Sequence, residues 1–452
     1  EARIHDLIEC GGGASESEID RILAKSRSLK RLTLEETAAL LATEDRALCD
    51  RIFEAARSVK DAVYGRRVVL FAPLYISNHC VNRCLYCGFR SDNKITKRLK
   101  LDLDQIRQQV RWLLARGHKR LLMVAGENGE SADYYIEAIN AIYEERVGAH
   151  RIKRINVNCA PLEVSDFRKL KDAGIGTYQI FQETYHEATY RAVHPAGPKS
   201  DPDNRIDAVD RACAAGIDDI GMGVLYGLYD YRFETLALLS HIEYLEKRYG
   251  FGPHTISVPR IEHAEGTDFT IPYPVADFDF KKMVAALRLS VPYTGMILST
   301  RETPALRDEL CNLGISQMSA ESRTSPGGYS SDDNNVGADV QFRLGDQRSL
   351  DEMIGVLIGK GYVPSFCAAC YRRERTGAAF MSLARPGLIR HKCDFNALVT
   401  LKEYLDDFAS DPVRKAGYSL LGRERKRLAP EAQAALSACF LDIDRGVRDS
   451  YV

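Results

Sequence analysis

The sequence predicts an α/β protein built on a parallel (β/α)8, TIM-like barrel, with a helical extension before it and a smaller cysteine-bearing module after it. Three patterns carry that expectation. From Val68 to Glu321, short β-rich runs alternate with longer amphipathic stretches. Eight such runs can be counted. Polar residues gather at the carboxyl ends of several of them, where a parallel barrel keeps its chemistry.

Residues 1–65 read as the helical extension. Thr33 with Glu36 makes a capping-box pattern, apolar residues return at helical spacing through Leu40, Leu41, Leu48, Ile52 and Ala56, and Gly11 to Gly13 mark a loop. Residues 66–323 read as the barrel. Its strand candidates are Val68–Ile76, Arg120–Gly126, Arg154–Ala160, Thr177–Glu183, Asp219–Gly227, His254–Ile261, Gly295–Thr300 and Ile315–Glu321. Helical patterns such as Leu103–Arg116, Phe233–Tyr249 and Phe278–Leu289 lie between them, so right-handed crossovers can close a barrel, with a doubly wound open sheet as the alternative. The strand-end groups Gly126-Glu127, Asn158-Cys159, Gln182-Glu183 and Ser319 to Arg323 should then share one cavity.

Residues 324–452 read as the third unit. Ser325 to Gly337 is rich in Gly, Ser and Asp and predicts a long loop, Leu350 to Gly361 predicts a helix, and Cys367, Cys370 and Cys393 follow. A helix is expected near Leu398–Phe408, and the charged run Arg423 to Arg427 reads as a solvated helix face.

Composition narrows the function classes. With 452 residues, 45% hydrophobic and 28% charged, the chain can bury a large core. Its net charge is −1, so no global field favours nucleic acid or an anionic membrane. The longest apolar run, Val68 to Ile76, is too short to span a bilayer, and Glu1 to Ile8 lacks a signal pattern, so the expected location is cytoplasmic. Twelve cysteines in such a chain argue for metal or redox chemistry rather than a disulfide scaffold.

Cys80-x3-Cys84-x2-Cys87 directly follows the first barrel strand. Three thiolates from one loop can hold a four-iron cube and leave one iron open to a small molecule, whereas tetrahedral zinc wants a fourth ligand that no neighbour supplies; a zinc loop or three buried thiols is the alternative. This loop, in this place, resembles the radical S-adenosylmethionine (SAM) superfamily, and Tyr86 supplies the aromatic usual before the last cysteine. The resemblance implies a [4Fe-4S] cluster on Cys80, Cys84 and Cys87, with SAM chelated at the open iron and cleaved to a 5′-deoxyadenosyl radical. Gly126-Glu127 is similar to the segment that holds the methionyl amine of SAM, although Ala125 stands where the family usually has Gly.

Phe71 to Asn78, Asn156 to Asn158, Phe181 to Tyr185, His194-Pro195, Gly221 to Gly223, Pro253 to Arg260 and Ser319 to Thr324 continue the resemblance into the tyrosine-lyase branch, over nearly the whole chain after residue 30. That branch implies cleavage of the Cα–Cβ bond of L-tyrosine to p-cresol and dehydroglycine. Cys367-x2-Cys370-x22-Cys393 resembles the second cluster site of the branch that matures [FeFe]-hydrogenase, which the thiamine-pathway (ThiH-like) branch lacks. It implies an auxiliary [4Fe-4S] cluster carrying an additional iron through a bound cysteine, conversion of dehydroglycine to CO and cyanide, a reductant protein, and downstream hydrogenase maturation proteins as partners. A zinc module is the alternative for these three cysteines.

Further residues are singled out with competing readings. Arg323 follows the eighth strand, where a guanidinium could grip the substrate carboxylate, with Ser319 assisting; a barrel-mouth salt bridge is the rival role. Asn158, Gln182 and Glu183 could bond ribose or amino-acid groups, or only satisfy one another. His254 opens the sixth strand, at the amino end of the barrel; a neutral imidazole suits ferrous iron, and the resemblance places a histidine ligand of the extra iron in this segment, with His263 in reserve. Cys10, Cys49, Cys159, Cys213, Cys311 and Cys439 read as small buried hydrophobes, and His118, His186, His241 and His391 as surface or loop residues. Two functions compete with a maturase-type lyase: a ThiH-like dehydroglycine synthase, and a non-catalytic iron–sulfur carrier that would neither bind nor cleave SAM.

Overall fold

A computed structural model describes residues 1–129, 131–329 and 339–452. Four helices, Ala2–Cys10, Glu16–Arg27, Leu34–Ala42 and Arg46–Tyr64, precede the first strand, and Thr33 caps the third with the expected reciprocal bonds to Glu36. The last three lie against the helix Asp277–Ser290, where the Ser26 hydroxyl donates to Leu289 O (2.7 Å) and Thr37 pairs with Ser290 (2.7 Å).

The strands β1 (Arg67–Ser77), β2 (Arg120–Ala125), β3 (Arg154–Asn158), β4 (Tyr178–Glu183), β5 (Ile220–Val224), β6 (Thr255–Ser257), β7 (Gly295–Leu298) and β8 (Gln317–Ser319) are all parallel, and β1 pairs with both β8 and β2, so the sheet closes. The barrel reading is therefore the right one and the open sheet is excluded. Strands tilted in a barrel meet their neighbours at staggered heights. Along β1, Val69–Phe71 pairs with β8 and Ala72–Ser77 with β2. Alternation along β1 sorts its two faces: Val68, Leu70, Ala72 and Leu74 join the hydrophobic core, whereas Val69, Phe71, Pro73 and Tyr75 line cavities inside the barrel.

A ninth strand, β9 (Val363–Ser365), was not expected from the sequence. It pairs only with the start of β1, at Arg67–Val69, so Pro364 sits on an edge where its missing N–H breaks no ladder. This short strand aims the chain so that Cys367 emerges beneath the barrel. Several observed strands are shorter than expected: β5 ends at Val224 rather than Gly227, β6 at Ser257 rather than Ile261 and β7 at Leu298 rather than Thr300, and β8 spans three residues rather than seven. The connection between β4 and β5 includes two short helices, Pro202–Ile206 and Ala208–Ala214. Of the expected loop Ser325 to Gly337, residues 330–337 lie outside the described residues.

Several residue readings are corrected. His118 is fully buried, 3.4 Å from Glu321 Oε2. His241 is half-buried on a helix, where Tyr185 OH lies 2.8 Å from Nδ1. Cys10 is exposed, and Cys213 and Cys439 are only half-buried, whereas Cys49, Cys159 and Cys311 are buried as expected. Among the described residues no helix is long and apolar enough to cross a membrane.

Candidate functional site

The loop after β1 is held by its own polar side chains. Asn78 bonds both strands of the loop's base, donating to Lys97 O (2.9 Å) and accepting from Leu99 N (2.7 Å). Asn93 Nδ2 donates to Gly88 O and Thr96 Oγ1 (both 2.9 Å), and Arg98 donates to Asn78 O (2.8 Å) and Phe89 O (2.9 Å). Such bonds fix the backbone that carries the three thiols before any ligand arrives. The end of β2 closes against this loop, Gly126 N donating to Ser77 O and Val81 N to Glu127 O, each 2.9 Å. A Cβ at Gly126 would stand 2.9 Å from the His79 carbonyl carbon, so only glycine permits that approach.

Cys80, Cys84 and Cys87 line a cavity of about 190 Å³ at the carboxyl ends of the strands. Burial pushes all three thiols up, Cys80 to about 11 and Cys84 furthest, and the neighbouring thiols or carboxylates add to it. Thiols gathered at such a buried site suit a positively charged inorganic core that binds them as thiolates. Among the described residues no three Cys, His, Asp or Glu side chains converge on a single ion.

Of the residues expected here, Tyr86, Gly126, Glu127, Asn158, Glu183 and Ser319 line this cavity. Gln182 and Arg323 do not, and alternation explains both. On β4 the register shifts between Phe181 and Glu183, Glu183 takes φ +70, and these two face inward with Gln182 between them. Beyond β8, Ser322 and Thr324 face the cavity, while Arg323 between them donates its backbone N–H to Tyr329 OH (3.1 Å) and its guanidinium to Ser322 O (3.3 Å).

Glu127 is anchored from two sides, accepting from Asn82 Nδ2 and from Arg205, each 2.9 Å. Burial works against its charge, but Arg205 and Lys199 outweigh burial and hold the carboxyl below its ordinary range. Lys199 donates to Glu183 (2.6 Å); burial and Arg205 oppose its charge, yet Glu183, Cys84 and Glu127 push it up overall. Tyr86 OH lies 2.8 Å from His194 Nε2, while His194 Nδ1 lies 2.8 Å from Tyr190 O. The carbonyl requires Nδ1–H, so Nε2 accepts from the phenol; burial lowers the imidazole to about 2 and keeps it neutral.

Sequence reasoning missed Arg301, Lys199, Arg205, Asn82 and Gln341, all of which line the cavity. Arg301 lies three residues past β7, its guanidinium carbon 3.3 Å from the centre of the Phe342 ring, and burial lowers its pKa. Among the described residues it makes no ion pair. The Ser299-Thr300-Arg301 run after the seventh strand was the available signal. Ser319 Oγ is likewise buried with no partner among the described residues.

The opposite end of the barrel holds a smaller cavity, about 30 Å³, lined by Cys367, Cys370 and Cys393 together with Val69, Arg120, Arg154, His254 and Gln317 from the amino ends of strands. Cys393 stands on the helix Ile389–Asp407, and burial pushes it to about 12. Arg120 donates to Cys367 O, and Arg154 pairs with Asp219 (2.6 Å). Arg67, Arg120 and Arg154 give this end a cationic floor suited to three thiolates on an anionic cluster. His254 faces Phe380 with ring centroids 4.2 Å apart, its Nδ1 is 3.6 Å from Asp219, and burial lowers it to about 4. His263 is exposed and is not among the residues lining this cavity.

Comparison with known proteins agrees with this geometry. Residues 74–240 match the radical SAM superfamily, and residues 257–363 match the biotin and thiamin synthesis associated domain. The 2-iminoacetate synthase of Escherichia coli (strain K12) is 32% identical over 358 residues, 78% of this chain and 90% of that protein. A crystal structure of HydG, described as a maturase of the [FeFe]-hydrogenase, is 44% identical with a TM-score of 0.96, covering 100% of this chain and 99% of the other. The HydG of Carboxydothermus hydrogenoformans is 42% identical with a TM-score of 0.84, covering 97% of each. Two cysteine-lined cavities in one barrel and a likeness that runs the full length place this chain in the radical SAM superfamily, as a member of the HydG family.

Proposed function

We propose that the protein cleaves L-tyrosine at its Cα–Cβ bond in the upper cavity, giving p-cresol and dehydroglycine, and that the lower cavity converts dehydroglycine to CO and cyanide for an iron carbonyl–cyanide precursor of the [FeFe]-hydrogenase active site. The observation that carries this reading is the second three-cysteine cavity, with His254 and three arginines, at the far end of the same barrel. A ThiH-like dehydroglycine synthase would need only the upper site, and an iron–sulfur carrier would need neither the anchored Glu127 nor a substrate-sized chamber.

In the upper cavity Cys80, Cys84 and Cys87 hold a [4Fe-4S] cluster. When bound, the cluster and SAM together supply a radical that takes hydrogen from the substrate. Glu127, kept ionised by Arg205 and fixed by Asn82, accepts from the methionyl ammonium of SAM at the end of β2. Asn158 and Glu183 offer acceptors for ribose or amino groups, and Tyr86 is locked by His194 beside the cysteine loop. Arg301, rather than Arg323, takes the tyrosine carboxylate, and Ser319 Oγ donates to it from the adjacent strand β8. These fixed groups orient the substrate for hydrogen transfer and leave little room for water.

In the lower cavity Cys367, Cys370 and Cys393 hold the auxiliary [4Fe-4S] cluster, which supplies a soft-ligand platform for iron delivered with cysteine. His254 binds that iron through a neutral imidazole, while Arg67, Arg120 and Arg154 balance the surrounding negative charge. A reductant protein and the downstream maturation proteins complete the partners, in the cytoplasm. The test is anaerobic incubation of the reconstituted protein with SAM, reductant and L-tyrosine, measuring 5′-deoxyadenosine and p-cresol. Both should form in comparable amounts; deoxyadenosine without cresol would overturn tyrosine as the substrate.

A further inference from the structure

The upper site needs an electron from outside, and the surface above its cysteine loop has a charge quite unlike the rest of the chain. Between Asn78 and Lys100 stand Arg83, Arg90, Lys94, Lys97, Arg98 and Lys100 against the single acid Asp92, in a chain whose net charge is −1. The loop's bonds tie these turns together: Ser91 N donates to Asn82 O (2.8 Å), joining the Arg83 turn to the Asp92 turn, and Asn78 joins Lys97 and Leu99 to the cysteine segment. Arg83, Lys94 and Lys97 are exposed and, among the described residues, make no ion pair. Arg98 spends its guanidinium on backbone carbonyls, so its charge stays uncompensated by any carboxylate in those bonds. Two apolar side chains of the same loop are exposed, Ile95 at 59% and Val81 at 44%, and Val81 directly follows Cys80.

We propose that this face is the docking surface of an acidic one-electron carrier protein, with Lys94 and Lys97 steering it and Val81 and Ile95 forming the dry centre of the contact. A cationic ring around a small apolar spot favours an anionic partner, raises its encounter rate and makes the association sensitive to salt. Acids from the facing segments border the patch: Asp92 and Asp268 beside Arg90, the Glu265–Arg343 pair next to Asn93, which donates to Glu265 O (2.9 Å), and Asp339, which accepts from Lys97 N at 2.5 Å. One electron leaves the carrier and one enters the cluster held by Cys80, Cys84 and Cys87, with no bond made or broken. Lys94 and Lys97 act in docking only and touch no reacting atom.

This inference rests on the radical reading of the upper site, so its test separates the two. Oxidised flavodoxin, an acidic flavin carrier, is titrated calorimetrically into the reconstituted holoprotein and into Lys94→Glu/Lys97→Glu, at about 0.02 M and about 0.3 M salt. SAM cleavage is then measured with reduced flavodoxin and, separately, with dithionite. The parent should bind at low salt and weaken at least tenfold at high salt. The double variant should bind at least tenfold more weakly, with a matching loss of flavodoxin-driven cleavage, while dithionite-driven cleavage and iron content stay at the parent level. Equal flavodoxin affinity in parent and variant would overturn the docking surface, as would equal losses with both reductants, which would mark the lysines as structural. A parent that cleaves no SAM even with dithionite would overturn the radical reading itself.

Discussion

Gly126→Ala tests the coupling between the end of β2 and the cysteine loop. The new methyl carbon would stand 2.9 Å from the His79 carbonyl carbon, 3.2 Å from the Asn78 carbonyl carbon, and nearer still to the His79 oxygen. All three are backbone atoms with no rotamer to escape into, so the loop must retreat by about 1 Å to restore ordinary contact. Overpacking of that kind costs about 1–3 kcal/mol. The functional effect is larger, because His79 immediately precedes Cys80 and Glu127 immediately follows the new side chain, and a misplacement of about 1 Å in an active site costs on the order of 100-fold in rate. Deoxyadenosine formation should fall about 100-fold while the protein stays folded by circular dichroism. Gly359→Ala, at a helix end with nothing within 4 Å of the added carbon, is the neutral control. A Gly126→Ala protein with full iron content and a rate within about twofold of the parent would refute the argument that this glycine sets the geometry of the site.

Replacing Cys80, Cys84 or Cys87 by Ala should abolish deoxyadenosine formation, measured by chromatography after anaerobic reconstitution. Cys370→Ala should leave p-cresol formation in place and suppress CO, measured by haemoglobin trapping, since the two reactions are assigned to separate cavities. Arg301→Gln should raise KM for tyrosine at least tenfold with a smaller effect on kcat, whereas Arg323→Gln should change KM little; the reverse pattern would return the carboxylate to Arg323. His254→Ala should keep both clusters and cresol formation yet lose the high-spin signal of the added iron in electron paramagnetic resonance. His241 is half-buried beside Tyr185, and desolvation lowers its pKa from 6.5 to about 4. Its stabilising contribution is full above pH 6.5 and is lost as pH falls towards 4, because the unfolded chain takes up the proton first; this is worth about 3 kcal/mol across that window, and His241→Gln should flatten the parent's pH slope in urea unfolding between pH 7 and 5.

Much of the architecture was legible because it depends on local periodicity. The eight barrel runs, the amphipathic segments between them and the two three-cysteine motifs are properties of neighbouring residues. β9 was hidden because three residues centred on Pro364 read as an interruption, and they become a strand only where β1 offers a free edge at Arg67–Val69. Arg323 and Gln182 were chosen by proximity to strand ends, but which of two adjacent residues faces inward depends on the last register of the strand, and the shift between Phe181 and Glu183 decides it. Lys199 and Arg205 come from a segment well beyond β4, and only closure of the barrel brings them to Glu127 and Glu183. His118 likewise looked like a loop residue until Glu321, 203 positions away, was seen beside it. The placement of His254 beside the C-terminal cysteines followed from a simpler fact: the start of a barrel strand lies at the end away from the active mouth.

The most direct measurement of the central claim is a single anaerobic turnover of the reconstituted protein with SAM, reductant, L-tyrosine, cysteine and ferrous iron, in which p-cresol, CO and cyanide are assayed in the same vessel. Two cavities working in sequence predict all three products, with CO and cyanide appearing after cresol. Cresol accompanied by the hydrolysis product of dehydroglycine, with neither CO nor cyanide, would contradict the account and assign the protein to dehydroglycine synthesis alone.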